Sequence, residues 1–157
     1  MAGPLQGVRV VEAGQIYATP GLGMYLADFG ADVVKVEPPD GDGCRRQHTS
    51  PGLGDLSKPF LHLNRNKRSI VVDIRTQAGR SVLLRLLERA DVFVLNFRPG
   101  VPERLGLHYE AVEQVNPRLI YVSLTGWGAS GPRRGRRGYD LLVQARAGLL
   151  DARRHPD

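Results

Sequence analysis

Only three of the chain's 22 lysines and arginines are lysines, Lys35, Lys58 and Lys67, and only one of its 157 residues, Cys44, is a cysteine. A lone cysteine excludes an intrachain disulfide and leaves thiolate ligation of a metal without partners, so no metal is expected and Cys44 reads as a free thiol in a loop. The four histidines, His48, His62, His108 and His155, are scattered, and no nucleophile stands at a readable spacing from a base. Local sequence therefore shows no catalytic pair. The apolar runs are strand length, well short of the roughly 18 residues that mark a membrane span, and no signal-peptide pattern is visible. A cytoplasmic protein without a membrane partner is the expectation. Because nearly all the positive charge is Arg, a bias that a GC-rich coding sequence also produces, no single Arg is evidence of a site.

What is present fits one domain with a real core. Hydrophobic residues make up 41% and charged residues 24%, ordinary globular values that exclude a disordered or fibrous chain. The net charge of +6 is uneven: from Arg133 onward seven Arg stand against Asp140, Asp151 and Asp157, leaving +4 in that stretch. Such a segment invites an anion, whether nucleic acid, an acidic surface or a phosphate-bearing small molecule.

Strand and helix patterns alternate along the chain. Gly7–Glu12 reads as a first strand, followed by the loop AGQIYATP, in which Thr19 is placed to cap a helix and Pro20 to occupy its first turn. That helix is predicted to reach Gly30, with Leu22, Tyr25, Leu26 and Phe29 on its apolar face. Ala31–Glu37 is a second strand stopped by Pro38 and Pro39, which completes a parallel crossover unit. The stretch from Asp40 to Lys58 has no period and reads as a long excursion. Phe60–Asn66 is ambiguous between a short helix and an extended segment. Ile70–Ile74 is a third strand, Thr76 caps a helix through Ala90 bearing Val82, Leu83, Leu86 and Leu87, and Val92–Leu95 is a fourth strand. Tyr109–Val115 is a short helix, Leu119–Leu124 a fifth strand, Thr125–Gly138 a glycine-rich basic loop, and Tyr139–Ala147 helical again, with Asp140 as its expected cap. This order predicts an α/β fold on a mostly parallel, doubly wound sheet.

The stretch Asp91–Gly106, DVFVLNFRPGVPERLG, carries the clearest functional signal. A buried strand runs into Asn96-Phe97-Arg98, Pro99-Gly100 turns the chain, and Arg104 lies within helical reach. Ligands of open α/β sheets bind just past the carboxyl ends of strands. An amide and two guanidinium groups there suit a phosphorylated ligand, although the same residues also fit a solvated turn. Gly21, Gly23 and Glu37 imitate the dinucleotide fingerprint, but Leu26 holds the third glycine position and the turn is too long. Three basic groups remain: Lys67-Arg68 with Arg75, Arg98 with Arg104, and Arg133-Arg134-Arg136-Arg137. Convergence on one edge would make a polyphosphate site, and dispersion would make them surface charge. A nucleic-acid surface needs stacking aromatics along a basic stripe, and only Trp127 and Tyr139 lie near the last group, so nucleic acid is an unlikely partner.

Six collinear segments resemble the amino-terminal part of the family III coenzyme A transferases, the CaiB/BaiF group. They are LQGVRVVEAG, MYLADFGADVVKVEPPDGD, NRNKRSIVVDI, DVFVLNFRPGVPERLGL, NPRLIYVSLTGWGASGP and GYDLLVQARAGLL, and together they cover essentially Leu5–Leu150. The group includes formyl-CoA transferase, carnitine and bile-acid CoA transferases, and α-methylacyl-CoA racemases. The resemblance implies a Rossmann-like large domain, of which residues 1–150 are the amino-terminal, CoA-binding part and 151–157 an unmatched tail. It further implies CoA or acyl-CoA as substrate, laid across the strand ends. By motif, Gln15, Ile16, Tyr17 and Ala18 would line the thioester end. Val72, Asp73, Ile74, Arg75, Asn96, Phe97, Arg98, Arg104, Arg136, Arg137, Gly138 and Tyr139 would hold the nucleotide and pantetheine arm. Guanidinium forks pair bidentately with phosphate oxygens, which is the chemistry CoA requires, and the assignment needs Arg98, Arg104 and Arg137 to gather at one rim.

The family reaction implied is CoA transfer from an acyl-CoA thioester to a carboxylic acid through an aspartyl mixed anhydride. Two departures bear on it. The residue preceding the aspartate of Gly138-Tyr139-Asp140 is a tyrosine where the racemases carry a proton-exchanging histidine, and a phenol with an unperturbed pKa of roughly 10 suits that task poorly. Transferase is favoured over racemase on this ground. The transferases' nucleophilic aspartate is expected beyond Leu150, and neither Asp151 nor Asp157 sits in a matching context, so no catalytic residue is assigned. The chain thus resembles a fragment of an interlocked homodimeric enzyme that is not expected to turn over alone. The alternatives are an α-methylacyl-CoA racemase-like protein and a non-catalytic module holding CoA or nucleic acid.

Overall fold

A computed structural model describes residues 3–47, 52 and 57–150. Five strands form one sheet in the order β3-β2-β1-β4-β5, with every neighbouring pair parallel: β1 Arg9–Ala13, β2 Asp32–Glu37, β3 Arg68–Val71, β4 Val92–Leu95 and β5 Ile120–Ser123. Between them lie α1 Ala18–Asp28, α2 Lys58–Leu63, α3 Gln77–Leu87, α4 Val101–Leu105 and α5 Tyr109–Val115, and α6 Asp140–Arg146 follows β5. The predicted α/β class, with its parallel sheet, is what the structure shows. Among the described residues no helix is long and apolar enough to cross a membrane.

Strand residues alternate between the two faces, and each face is covered. Val10, Val33 and Val94 pack with Ala27 of α1 on one side. Val11, Val36, Phe93 and Leu95 pack with Leu83 and Leu87 of α3 and Val112 of α5 on the other. Burial on both faces explains the near-continuous apolar runs of β1, β2 and β4. The strand order reverses between β1 and β4, because β1 leads outward to β2 and β3, and the crossover through α3 then returns the chain to the far side of β1.

Several sequence expectations hold to the residue. The Thr76 hydroxyl accepts from Gly79 N–H and caps α3, β4 spans Val92–Leu95, and α5 spans Tyr109–Val115. Others shift. The helix α3 ends at Leu87, not Ala90, and β3 begins at Arg68, ahead of the predicted Ile70, and ends at Val71. This edge strand starts where polar side chains find partners on β2: Arg68 forks onto Asp32 at 2.7 and 2.8 Å, and Ser69 hydrogen-bonds Glu37. The ambiguous segment after Phe60 resolves as α2, whose cap Ser57 accepts from Phe60 N–H. His48, His155, Asp151 and Asp157 lie outside the described residues.

Two predicted caps are wrong. The helix α1 begins at Ala18 behind Tyr17, and Thr19 sits inside its first turn, fully buried against Gly14. Its buried face carries Thr19, Pro20, Gly23, Met24 and Ala27, whereas Tyr25 and Phe29 are 59% and 52% exposed. Small residues face the sheet because the helix rides close over a charged side chain, Glu12, described below. At α6 the N-cap is Tyr139, and Asp140 is the first helical residue, accepting from Gln144 Nε2 at 2.6 Å.

Candidate functional site

Five loops leave the carboxyl ends of five parallel strands, and the strand order reverses between β1 and β4, the switch point at whose crevice such sheets bind their ligands. The loop after β1 and the loop after β4 are joined across it. Asn96 Oδ1 accepts from Gln15 N–H at 3.1 Å, and Asn96 Nδ2 donates to the Gln15 carbonyl at 2.9 Å. Ile16 follows with φ +74°, an outlier for a β-branched residue. Its N–H donates to Asp42 Oδ1 at 3.1 Å. Backbone of this kind persists only where its surroundings over-determine it, and such residues cluster at functional sites. Tyr17 is half exposed at the mouth of the crevice, and Ala18 opens α1. The N–H groups of Tyr17 and Ala18 meet no acceptor among the described residues.

Beyond β4, Phe97 packs down onto the core while Arg98 turns outward. Gly100, at φ +84°, makes the turn that lets α4 start, and the Arg104 guanidinium folds back over it, 3.6 Å from where a Cβ on Gly100 would stand. Arg98 and Arg104 thus flank one turn. The loop after β5 closes on itself where Gly126 and Gly138 touch: a Cβ on either would lie 2.5 Å from the other's Cα. Trp127 Nε1 donates to the Arg137 carbonyl at 3.0 Å, and the Arg133 guanidinium stands 5.6 Å from the indole. This closure delivers Tyr139 to the crevice, where its hydroxyl accepts from Arg98 Nη2 at 3.0 Å. Arg136 and Arg137 are exposed, with no carboxylate partner among the described residues.

Val72, Asp73, Ile74 and Arg75 leave β3, two strands from β1 and so about 10 Å along the edge. Arg75 is committed to a carboxylate, donating to Asp73 at 2.8 and 2.9 Å and holding that carboxyl below its usual range. Of the three basic groups, Arg98 and Arg104 share the β4 edge, Arg136 and Arg137 lie in the adjoining β5 loop, and Lys67 and Arg68 do not join them. Arg68 is paired at the opposite, amino-terminal end of the sheet, and Lys67 points inward.

Lys67 belongs to a set of charges that sequence reasoning missed. Beneath the β1 loop, Glu12, Lys35, Asp42 and Lys67 form a chain of ion pairs, each side chain at most 2% exposed. Lys67 Nζ lies 2.7 Å from Glu12 Oε2, Glu12 Oε1 lies 2.9 Å from Lys35 Nζ, and Lys35 Nζ lies 2.8 Å from Asp42 Oδ2. Lys67 also donates to the Pro20 carbonyl and to Asn64, and Lys35 to the Gly14 carbonyl at 3.0 Å. Burial lowers the Lys67 pKa, and Glu12 opposes that. Alongside, burial raises the Glu37 carboxyl, but Arg45, Ser69 and the Asp42 N–H more than reverse it and bring the pKa to about 2.

These contacts dispose of the dinucleotide imitation. Glu37 is spent on Arg45 and Ser69, and Gly23 serves Glu12 instead of a pyrophosphate, since a Cβ there would stand 1.9 Å from Glu12 Oε2. The signal available in the sequence was a charged residue set directly against valines, Glu12 after Val10-Val11 and Lys35 between Val34 and Val36.

Comparison with known proteins identifies the family. The family model described as CoA-transferase family III matches residues 5–157. The chain is 40% identical over 155 residues to the acetyl-CoA:oxalate CoA-transferase of Acetobacter aceti, covering 99% of this chain and 40% of that one. It is 41% identical over 160 residues to the succinate–glutarate CoA-transferase of Agrobacterium fabrum, covering 98% and 40%. A crystal structure of a CaiB/BaiF family protein from Brucella suis superposes with a TM-score of 0.91 at 42% identity, over 100% of this chain and 42% of that one. The orthorhombic form of Rv3272 from Mycobacterium tuberculosis gives 0.90 at 42% identity, covering 99% and 43%. The chain spans about two fifths of the length of these relatives, and over that span sequence and fold agree: it belongs to CoA-transferase family III.

Proposed function

We propose that this chain forms the CoA-binding edge of an acyl-CoA:carboxylate CoA-transferase, with residues 1–150 as the amino-terminal part of its large domain. The observation that carries the reading is the meeting of three loops at the β1/β4 crevice, through the Gln15–Asn96 pair and the Arg98–Tyr139 contact. In this reading Gln15, Ile16, Tyr17 and Ala18 face the thioester. Asn96, Phe97, Arg98, Arg104, Arg136, Arg137, Gly138 and Tyr139 take the pantetheine arm and the phosphates, and Val72–Arg75 lies farther along the edge. A ligand as long as CoA spans that distance. The exposed guanidinium groups of Arg98, Arg104, Arg136 and Arg137 fit a pyrophosphate and a 3′-phosphate. Arg75, already paired with Asp73, fits a polar contact better than a phosphate clamp.

The reaction proposed begins with attack of an aspartate carboxylate oxygen on the thioester carbonyl carbon. The C–S bond breaks, CoA leaves as thiolate, and a mixed anhydride remains that thiolate can reopen. Backbone donors stabilise the oxyanion, a role proposed for the N–H groups of Tyr17 and Ala18, which meet no acceptor among the described residues. Thiolate attacks the aspartyl carbonyl of the mixed anhydride, which releases the donor acid and leaves an aspartyl-CoA thioester. The acceptor carboxylate attacks this thioester, expelling thiolate and forming a second anhydride, and thiolate then attacks the acceptor's acyl carbonyl to give the new thioester and the free aspartate. No residue of this chain is assigned as the nucleophile, and the acyl exchange is proposed for a protein of the relatives' length, as an interlocked homodimer. The Tyr139 hydroxyl, engaged by Arg98, weighs for transfer over racemisation.

Titration with CoA and with duplex DNA at two salt concentrations tests the reading. CoA binding that survives salt, with DNA binding absent or collapsing steeply, supports it. Salt-sensitive DNA binding without CoA binding refutes it in favour of a nucleic-acid module. Acyl exchange by the isolated chain above a no-protein control would show that it carries a nucleophile of its own.

A further inference from the structure

Asp42 lies outside the loops assigned to the ligand, yet within the buried ion-pair chain it is the side chain that accepts from a backbone N–H of the β1 loop, that of Ile16. Its Oδ1 accepts from Ile16 N–H at 3.1 Å and from Cys44 N–H at 2.8 Å. Its Oδ2 is 2.8 Å from Lys35 Nζ, a charge contact and not a well-directed hydrogen bond. Lys35 in turn holds the carbonyl of Gly14, so the peptide groups on both sides of Gln15 are gripped from below by one ionic assembly. From the side, Asn96 takes both backbone groups of Gln15. With those groups consumed, the positive φ of Ile16 is imposed, and the N–H groups of Tyr17 and Ala18 that follow meet no acceptor among the described residues.

We propose that Asp42 is a positioning residue for ligand binding, fixing Gln15–Ala18 in its binding conformation through the Ile16 N–H while Lys35 holds the Asp42 carboxylate in place. The inference rests on the reading of that loop as the thioester end of a CoA site. Carboxylate charge is needed only to match Lys35, and acceptance from Ile16 is the positioning act. A neutral acceptor at position 42 therefore suffices once Lys35 is neutral as well.

That distinction sets the test. Asp42→Ala alone leaves a buried ammonium short of a counter-charge and fails by misfolding, so the informative pair removes both charges: Asp42→Ala/Lys35→Met against Asp42→Asn/Lys35→Met. The Asn version keeps a carbonyl oxygen for Ile16, and the Ala version does not. Amide hydrogen exchange and titration with acetyl-CoA and with adenosine 3′,5′-bisphosphate, the nucleotide half, are measured on both. The Ala version is expected to exchange the Ile16 amide at least about tenfold faster and to bind acetyl-CoA about tenfold more weakly. The core amides of Val10 and Val94, and the affinity for the bisphosphate, should match between the two. Equal Ile16 exchange and equal acetyl-CoA affinity overturn the proposal. So does loss of core protection in the Ala version alone, which assigns Asp42 a purely structural role. If the wild-type chain binds no acetyl-CoA, the functional reading fails, and the Ile16 exchange rates still decide whether Asp42 sets the loop.

Discussion

Asn96 makes both hydrogen bonds of its amide to the backbone of Gln15, 81 residues earlier in the chain, and so bridges the two strand ends between which the sheet reverses direction. A side chain that satisfies a donor and an acceptor at once, in a part-buried place, is hard to replace. Asn96→Ala leaves the Gln15 N–H and carbonyl without partners and is expected to cost about 1–3 kcal/mol of stability in urea denaturation. Asn96→Asp keeps the acceptor but sets a carboxylate oxygen against the Gln15 carbonyl, and should cost at least as much near neutral pH. Either variant melting like the wild type would show that the bridge is incidental.

Gly23 and Glu12 give a second prediction, opposite in sign to helix propensity. An alanine in an exposed helix interior stabilises by roughly 1 kcal/mol over glycine. Here its Cβ would stand 1.9 Å from a buried carboxylate oxygen, so α1 must lift or Glu12 must leave Lys35 and Lys67. Gly23→Ala is expected to destabilise by about 1–3 kcal/mol, as overpacking does. A rise in the urea midpoint would contradict the ion-pair chain as described.

Glu37 makes stability depend on acid. Its folded pKa is depressed from 4.5 to about 2, so its contribution is fully present above the unfolded pKa and is lost as pH falls from about 5 toward 2. The shift corresponds to something on the order of 3 kcal/mol. Urea midpoints measured between pH 6 and pH 2.5 should fall steeply for the wild type and less for Glu37→Gln, whose curve starts lower. Parallel curves would remove Glu37 as the cause.

The isolated chain should also associate with itself. Leu141 and Leu142 of α6 are 67% and 49% exposed, and Tyr25, Phe29, Ile120 and Val71 add apolar surface on other sides. Contiguous apolar patches mark contacts, and Leu141 and Leu142 are neighbours on α6. Sedimentation velocity across a hundredfold range of concentration is expected to show a rising mean mass. A concentration-independent monomer with a sharp, reversible melt would show that these faces need no cover.

Local pattern went far for the fold and less far for the site. The runs of β1, β2 and β4 were legible because a parallel sheet buries both faces, and Thr76 because a capping side chain acts within three residues. Thr19 misled for the same reason: its sequence neighbours fit a cap, but packing against Gly14 and the approach of α1 to Glu12 drew it into the helix. Glu12 and Lys35 are register partners on adjacent strands, a relation visible only once β1 and β2 are paired. Which arginines meet was likewise decided by strand order. Arg98 and Arg104 border one turn and Arg98 reaches Tyr139 beyond the β5 loop, whereas Arg75, equally basic in the sequence, follows β3, three strands from β4, and is neutralised by its neighbour Asp73.

The central claim is that the β1, β4 and β5 loops form one grip on a phosphorylated thiol carrier, and isothermal titration of the chain with CoA, in wild type and in Arg98→Ala, tests it most directly. The account predicts saturable binding by the wild type that is tighter than that of adenosine 3′,5′-bisphosphate, and about a tenfold loss in Arg98→Ala through the phosphate contact and the Tyr139 hydroxyl it holds. Unchanged CoA affinity in Arg98→Ala, or no CoA binding by the wild type while the fold is intact, would contradict it.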